Sequence, residues 1–475
     1  MIRCFRAACA ATAIAGLAGC VSTPSAVPAR APGAFAPLAN VDPVRLLDRV
    51  TWGANASSGR HLREAGVEAF MREQLHPPPG AALPAQVQSA IDAMAISRQP
   101  MAALAPVLQQ ERQSALAMQD DAAKKAAQRA FQQHMTALAR EAATRSLLRA
   151  IYSPNQLQEQ VTWFWMNHFS VFQRKAELRI LVADYEENAV RPHALGRFRD
   201  LVAATLRHPA MLRYLDNAQN RAGHVNENYA RELLELHTMG VDGGYTQRDV
   251  QELARVLTGV GLRPGRFEFH PRLHDMGDKV LLGHTIHGRG IGEIDEALDI
   301  ICRQPATARF VSRKLATFFV ADEPPAALVE RMAQAFRRSD GDIAATLSTM
   351  FASPEFAASL GAKFKDPMHY VVSAARLALD ERPLPDAAPL LMWLARLGEL
   401  PNDHQTPDGY PLVEAAWSSP GQMTTRFEFA RAVGSRVPAA LERPVSAATR
   451  AALEGAASLR ERNALLLSSP DFMYR

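Results

Sequence analysis

Apolar residues recur at every third or fourth position over most of the chain, which is the spacing of one face of an α-helix. Residues 86–150 consist mainly of Ala, Gln, Leu, Met, Glu, Lys and Arg, all good helix formers. Because Pro100 and Pro106 interrupt this stretch, we expect one short helix and then one long helix. Ser153 and Pro154 indicate the next helix start, with Ser153 as the cap and Pro154 in the first turn.

One segment departs from the helical spacing. Within residues 266–287, Phe267, Phe269 and Leu273 alternate with polar residues, and an apolar run resumes at Val280 after a turn. This pattern predicts a small β-hairpin or an ordered loop between helices. The predicted fold class is therefore all-α, as one large multi-helix domain with one small β-hairpin or ordered loop insertion.

The first residues have the three parts of an export signal. Arg3 and Arg6 are followed by an apolar run too short to cross a bilayer of roughly 30 Å, and small residues then lead into Cys20. This order resembles the lipobox of bacterial lipoproteins, which implies a signal peptide over 1–19 and lipid on Cys20. The alternative is an ordinary signal peptide. Residues 20–43 are rich in Ala and Pro and predict a flexible tether, followed by a helical domain over 44–475.

Composition and charge narrow the partners. The formal net charge is +4, and the charges are interspersed without a basic block, so we predict no nucleic-acid partner. No later segment has eighteen uninterrupted apolar residues, so the lipid on Cys20 is the expected membrane attachment. Removing residues 1–19 leaves only Cys20 and Cys302, so we expect a fold held by its hydrophobic core without a disulfide.

Two helices place polar side chains beside apolar ones. His168 shares a helical face with Phe164 and Trp165, which fits either a hydrogen-bonded core histidine or a site residue. The second helix, which contains Glu227 to His237, carries several charged side chains within a few turns. Charged side chains need partners if they are buried. A surface ion pair and helix capping account for part of that concentration. The two histidines would act as base or ligand, the carboxylates as acid or ligand, and the arginine would bind an anionic substrate. The catalytic candidates are therefore His168, Glu227, Arg231, Glu232 and His237.

A histidine-rich segment over residues 270–287 provides candidate metal ligands. Imidazole and carboxylate groups bind zinc and other divalent ions, so His274 and Asp275 are the metal candidates. The segment contains no HExxH motif, EF-hand loop or cysteine pair. A divalent metal therefore stays open as a cofactor, on the condition that separate segments converge, and no other cofactor is indicated.

Several blocks together resemble the bacterial domain of unknown function 1800 family. These blocks are SPNQLQEQVTWFWMNHFSV, HPAMLRYLDN, NENYARELLELHTMGVDGGYTQRDVQELARVLTG and HDMGDKVLLG. The resemblance runs from about Val44 onward and is loose over 77–150. Met166 departs from the polar residue that the family tends to show between its Trp and its Asn-His pair. The resemblance implies an exported, mostly helical protein, and it implies association with an exported sulfatase-like partner protein, but it implies no activity.

Two functions fit these observations. The first is an envelope enzyme or enzyme partner, with a His/Glu/Asp site where the His168 helix, the Glu227–His237 helix and the His274–Asp275 turn converge. The second is a non-catalytic helical binding or scaffold module of the periplasm, which the absence of a standard catalytic motif favours. Val21 after the lipidated cysteine resembles the signal for the outer membrane, so we expect a lipid-anchored protein there, facing the periplasm.

Replacing Cys20 tests the anchor. We expect Cys20→Ser to release the protein from the membrane fraction, because a helical domain without a spanning segment has no other attachment. The measurement is the partition of wild type and variant between membrane and soluble fractions of the envelope. A variant that stays in the membrane fraction would refute the lipid anchor.

Overall fold

The computed structural model describes residues 34–78, 80–263, 265–436 and 443–475. The predicted signal peptide over 1–19, lipidated Cys20 and the tether up to residue 33 lie outside the described residues. Residues 34–475 form one compact unit. This unit begins ahead of the expected start near Val44, because Phe35 and Leu38 are buried in its core.

Helices make up most of the unit, as the spacing of apolar residues predicts. In chain order they are α1 (Pro43–Val50), α2 (Ala56–Ala65), α3 (Val67–Leu75), α4 (Ala85–Asp92), α5 (Ala95–Arg98), α6 (Met101–Ala117), α7 (Asp121–Tyr152), α8 (Gln156–His168), α9 (Val182–Asp184), α10 (Phe198–Leu206), α11 (Pro209–Tyr214), α12 (Asn228–Glu232), α13 (Gln247–Val256), α14 (Gly292–Cys302), α15 (Pro305–Phe319), α16 (Ala326–Arg338), α17 (Ile343–Phe351), α18 (Pro354–Ser359), α19 (Pro367–Leu379), α20 (Ala388–Arg396), α21 (Pro420–Val433), α22 (Ala447–Glu454), α23 (Leu459–Ser468) and α24 (Pro470–Met473). No helix within the described ranges combines the length and the apolar character needed to cross a membrane.

The β-structure is small, as predicted, but the described part of the chain contains two hairpins rather than one. The four strands are β1 (Val260–Arg263), β2 (Arg266–Phe269), β3 (Lys279–Leu281) and β4 (His284–Ile286). β1 pairs with β2 and β3 with β4, both antiparallel. The first hairpin begins ahead of residue 266, because β1 follows α13 directly and supplies the partner for the alternating residues of β2.

The helices differ from the expected ones in two places. Residues 86–150 lie in four helices, α4 to α7, rather than in one short and one long helix, and α8 does not begin as expected. Pro106 lies inside α6 without ending it, and it lies on the exposed side of that helix. Water can therefore reach the carbonyl that the missing N–H leaves free. Ser153 does not cap α8, because its hydroxyl accepts a bond from the nearby Asn155 N–H (3.2 Å). Gln156 is buried and donates to the Ser153 carbonyl at 2.8 Å.

The apolar side chains form two clusters that meet at α8. The first core contains α1, α3 and most of the helices from α8 to α18. The second contains α4, the C-terminal half of α7, and the helices from α19 to α24. Trp163 of α8 packs against both cores. Cys302 is a buried free thiol of the first core, as expected, and burial raises its pKa to about 12.

Charged side chains that are almost wholly buried lie where the two cores meet. Arg49 of α1 donates to the carbonyl oxygens of Phe319 and Ser359, both at 2.6 Å, and to the main-chain oxygen of Arg475. Arg475 in turn donates to Gln160 Oε1 of α8 at 3.2 Å and to a carbonyl of α15 at 2.8 Å. One layer of hydrogen bonds thus joins elements of both cores.

His369 of α19 completes this layer. Its Nδ1 lies 2.7 Å from Asp366 Oδ2, and its Nε2 lies 3.1 Å from the same Gln160 Oε1. Its ring packs against Trp52, with the ring centroids 4.5 Å apart. Burial lowers the pKa of His369 to about 4. We call Arg49, Gln160, His369 and Arg475 the polar layer.

Removing Arg49 should be far costlier than removing a surface arginine. We expect Arg49→Met to lower the free energy of unfolding by at least about 3 kcal/mol, because several buried oxygens lose their donor. Arg337→Ala is the control. Its partner Glu330 lies 3.6 Å away and both side chains are more than 40% exposed (43% and 44%), so we expect a loss below about 1 kcal/mol.

The measurement is urea unfolding at equilibrium. Arg49→Lys keeps a charge but loses the forked geometry of guanidinium, so it should fall between wild type and Arg49→Met. Equal unfolding free energies for the Arg49→Met and Arg337→Ala variants would contradict the role given to the polar layer.

Candidate functional site

Two neighbouring residues at the end of α8 bind different parts of the chain. Asn167 Nδ2 donates to the Tyr410 carbonyl at 2.9 Å, and Asn167 Oδ1 accepts from the Tyr410 N–H at 2.6 Å. His168 Nε2 lies 2.9 Å from the His237 carbonyl oxygen. Because a carbonyl only accepts, His168 donates from Nε2, and its Nδ1 is the acceptor of a neutral ring.

The loop over residues 401–410 is fixed against this helix end. Gly409 has φ +75°, and a Cβ there would lie 2.1 Å from the Asn167 carbonyl oxygen, so no larger residue fits. The Tyr214 hydroxyl donates to the Gln405 carbonyl at 2.8 Å. Arg174 binds both carboxylate oxygens of Asp403, at 2.7 and 2.8 Å. These contacts give the loop a defined position.

A π-helical turn positions the second histidine. Residues Leu233–Thr238 continue α12 with the wider π-helical hydrogen bonding, and the Thr238 hydroxyl donates to the Leu233 carbonyl at 2.6 Å. His237 is fully buried, and its ring centroid lies 6.1 Å from that of His168. Among the described residues, neither ring nitrogen of His237 has a hydrogen-bond partner, nor does His168 Nδ1. Three buried ring nitrogens are therefore unsatisfied, and π-turns of this kind often occur at functional sites.

Among the charged groups, Lys314 of α15 is the one whose charge acts on the pKa of both rings. Burial lowers the pKa of Lys314 to about 8, and the charge of Asp408 opposes that shift. Burial, and then the charge of Lys314, lowers the pKa of His237 to about 3 and that of His168 well below its usual value. Lys314 has no ion pair or hydrogen bond within the described ranges, and its Nζ lies 5.6 Å from the Phe310 ring centroid.

Two carboxyl groups complete the site, with opposite pKa shifts. Burial, followed by the charge of Glu235, raises the pKa of Glu232, and Asp408 adds to that rise. Burial acts to raise the pKa of Asp408 as well, but hydrogen bonds from Thr406 (2.5 Å) and His404 (3.2 Å) outweigh it and lower the pKa. We call the following residues the Lys314 cluster: His168, Tyr214, Glu232, His237, Lys314 and Asp408.

The other catalytic candidates lie in a surface network. Glu227 Oε2 accepts from Arg231 at 3.1 Å and from Gln247 at 2.6 Å, and Arg231 also donates to Gln247 at 2.8 Å. These bonds tie α12 to the start of α13. Arg231 reaches the Lys314 cluster only through its charge, which partly offsets the raised pKa of Glu232. The catalytic roles of Glu227 and Arg231 stay predictions.

The His274–Asp275 turn binds α13 and α14 rather than His168 or His237. His274 Nδ1 lies 2.8 Å from the Thr258 carbonyl, and its Nε2 lies 3.0 Å from Glu293, which also pairs with buried Lys279. Asp275 forms a two-bond ion pair with Arg255, at 2.8 and 3.2 Å. The described ranges contain no group of three or more His, Cys, Asp or Glu side chains arranged to hold a metal ion. A metal at His274 and Asp275 stays a prediction.

Three members of the cluster are not among the residues predicted from the sequence: Tyr214, Lys314 and Asp408. One signal was present for Lys314, because it lies four residues after Phe310 and four before Phe318, within an aromatic row of α15. A lysine in such a row is placed where its charge is costly. Asp408 carries no comparable signal, since its loop approaches α8 only through long-range folding.

Comparison with known proteins gives one match. A family model described as "Protein of unknown function (DUF1800)" matches residues 45–474, which include the whole Lys314 cluster. No curated protein and no solved structure matches the chain. The match covers nearly all of the compact unit and agrees with the family that the sequence blocks resemble.

The buried histidines make stability depend on acid pH. In the unfolded chain a histidine binds a proton near pH 6.5, whereas folded His237 does so only near its pKa of about 3. Below pH 6.5 the unfolded state therefore binds more protons, and stability falls as the pH falls, by about 1.4 kcal/mol per pH unit per histidine. We expect His237→Gln to reduce this slope between pH 6 and 4.5, as measured by urea unfolding at several pH values.

The exposed His284 provides the control for this slope. His284→Gln removes an imidazole from the surface and should leave the wild-type slope unchanged. A slope that is identical in wild type and His237→Gln would show that His237 is not held neutral in the fold.

Proposed function

Because this chain belongs to the DUF1800 family of unknown function, its activity must be inferred from its own side chains, and we propose that it is a lipid-anchored enzyme of the bacterial envelope with the Lys314 cluster as its active centre. One observation carries the proposal. Among the described residues, a half-buried lysine without an ion pair lies in the field of two buried histidines that have three unsatisfied ring nitrogens.

The lysine supports a role as a base. Buried lysines are normally paired, because an isolated ammonium group is costly in an apolar environment. The neutral histidines do not supply the missing negative charge, and Asp408 only partly offsets the cost. A pKa of about 8 leaves a useful fraction of neutral amine near pH 7. General bases work best with a pKa close to the working pH.

The carboxyl groups support a matching acid. Burial raises the pKa of Glu232, whereas the hydrogen bonds of Thr406 and His404 lower the pKa of Asp408. Neighbouring titratable groups with pKa values pushed apart are the usual basis for separate acid and base roles. In a hydrolysis, Lys314 would take the proton of the attacking water, and Glu232 would give a proton to the leaving group. The negative charge of Asp408 would offset the positive charge that Lys314 gains when it takes the proton.

The cellular setting belongs to the same proposal. We place the protein on the inner leaflet of the outer membrane through lipid on Cys20, with an exported sulfatase-like protein as its partner. The competing function is a non-catalytic helical binding or scaffold module, with a divalent metal as an open cofactor. On that view Lys314 would be dispensable, which makes its replacement the discriminating test.

Lys314→Met and Glu232→Gln should each abolish function in a strain that lacks the wild-type gene, because each removes one proton-transfer group while keeping its approximate shape. Lys124→Met is the matched control, since Lys124 is also half-buried and lies in the first turn of α7, outside the cluster. Complementation is measured together with thermal unfolding of each purified variant. Folded Lys314→Met and Glu232→Gln proteins that complement fully would refute the proposal, as would a folded and functional His168→Ala.

Chemical modification gives a readout that needs no substrate. At pH 8 about half of the Lys314 amines are neutral, so an amine-selective acylating reagent should modify Lys314 at least tenfold faster than Lys124. Mass spectrometry of peptides at short reaction times measures both rates. Equal rates would remove the argument for Lys314 as a base.

A further inference from the structure

A second surface feature lies along α6. None of the residues that line it belongs to the Lys314 cluster. Two hollows of about 480 and 830 Å³ adjoin this helix. The residues that line both hollows are Arg112, Leu116, Phe131 and Glu177. The hollows therefore adjoin each other, and we call them together the α6 groove. Each lies within the usual size range for sites that bind small organic ligands, about 300–1,000 Å³.

The floor of the α6 groove is apolar. It is formed by side chains that are largely buried and expose only a small part to the groove, namely Leu108, Phe131, Met135, Ile180 and Leu181. Leu116, at the junction of the two hollows, is 49% exposed. The β1–β2 hairpin closes one end, and Gly265 (φ +68°) allows this contact, since a Cβ there would lie 3.0 Å from the Ala105 Cβ. A concave apolar surface of this kind indicates a binding site.

The rim of the groove is basic. Five cationic side chains line it, and Glu177 is the single carboxylate among the lining residues: Arg112, Lys125, Arg129, Arg213 and Arg263. Glu177 pairs with both Arg112 and Arg213 (2.7 Å for the latter), so one carboxylate serves two guanidinium groups. Lys125 and Arg129 have no ion pair within the described part of the chain. Arg263 pairs with Glu268 at 2.6 Å, so the excess of positive charge lies at Lys125 and Arg129, beside Arg112.

We propose that the α6 groove binds an anionic amphiphile, with a long acyl chain along the floor and its acidic head group at Arg112, Lys125 and Arg129. The charge of the rim selects an anion, and the apolar floor selects a hydrocarbon chain. This inference does not depend on the Lys314 cluster.

Two exposed apolar residues of α6 provide a matched pair of variants. Leu116 lines the groove, whereas Val107, which is 50% exposed, does not. They are nine residues apart and so lie on opposite sides of the helix. We expect Leu116→Asp to weaken the binding of a fluorescent long-chain fatty acid at least tenfold. Val107→Asp should bind it as wild type does, within a factor of two.

The titration uses residues 34–475, the compact unit that contains both cores. These residues leave out Cys20, so a lipid on that cysteine cannot compete with the fatty acid for the groove. Thermal unfolding of each variant verifies that it is folded. The head group is tested with Arg112→Gln and Arg129→Gln, which should weaken the fatty acid several-fold and leave the corresponding fatty alcohol unchanged. Wild type should bind the acid at least tenfold more tightly than the alcohol.

Several outcomes would overturn the proposal. They are no binding of the fatty acid by wild type, equal losses for Leu116→Asp and Val107→Asp, or equal affinity for the acid and the alcohol. Binding of an acidic amphipathic peptide without binding of the fatty acid would assign the groove to a protein partner instead.

Discussion

The guanidinium groups of the polar layer determine how the two cores fit together. Apolar surfaces alone allow many relative positions, whereas the Nη donors of Arg49 and Arg475 find their acceptors on α8 and α15 in this arrangement of the cores. Because an unsatisfied buried charge is expensive, any shift of one core against the other breaks several bonds at once. α8 passes through this layer at Gln160 and ends at His168, so the geometry of the Lys314 cluster depends on the same bonds.

The Lys314 cluster is assembled from distant parts of the chain. Asn167 and His168 are adjacent in sequence, yet one holds the 401–410 loop and the other holds the π-turn. α15 then places Lys314 within the field of both histidines. The site thus consists of elements of the first core and a loop that follows α20, next to the boundary between the cores. A rigid joint between the cores is what keeps these groups in register.

The local spacing of apolar residues was enough to predict the fold class. The site was predicted only in part, because it depends on long-range contacts. The period of apolar residues predicts the helices and the burial of His168, because burial of a helical face is a local property. It misplaces Pro106 and Ser153, where exposure and a buried glutamine decide the boundary. It finds Glu232 and His237 but misses Lys314 and Asp408, since no spacing reveals which loop lies over which helix. The His274 turn contains ligand-type residues, yet its partners are an ion-paired glutamate and a carbonyl.

The π-helical turn has a consequence for how this protein tolerates change. A π-turn holds one residue more than the α-helical turn it replaces, so removing any single residue from Leu233–Thr238 would restore regular α-helix. The wider turn takes up its extra residue locally, so the chain beyond the turn would keep its direction, whereas the residues inside the turn, His237 among them, would change theirs. The burial of this histidine is thus encoded by the number of residues before it as much as by their identity, and insertions or deletions there should be rarer than substitutions.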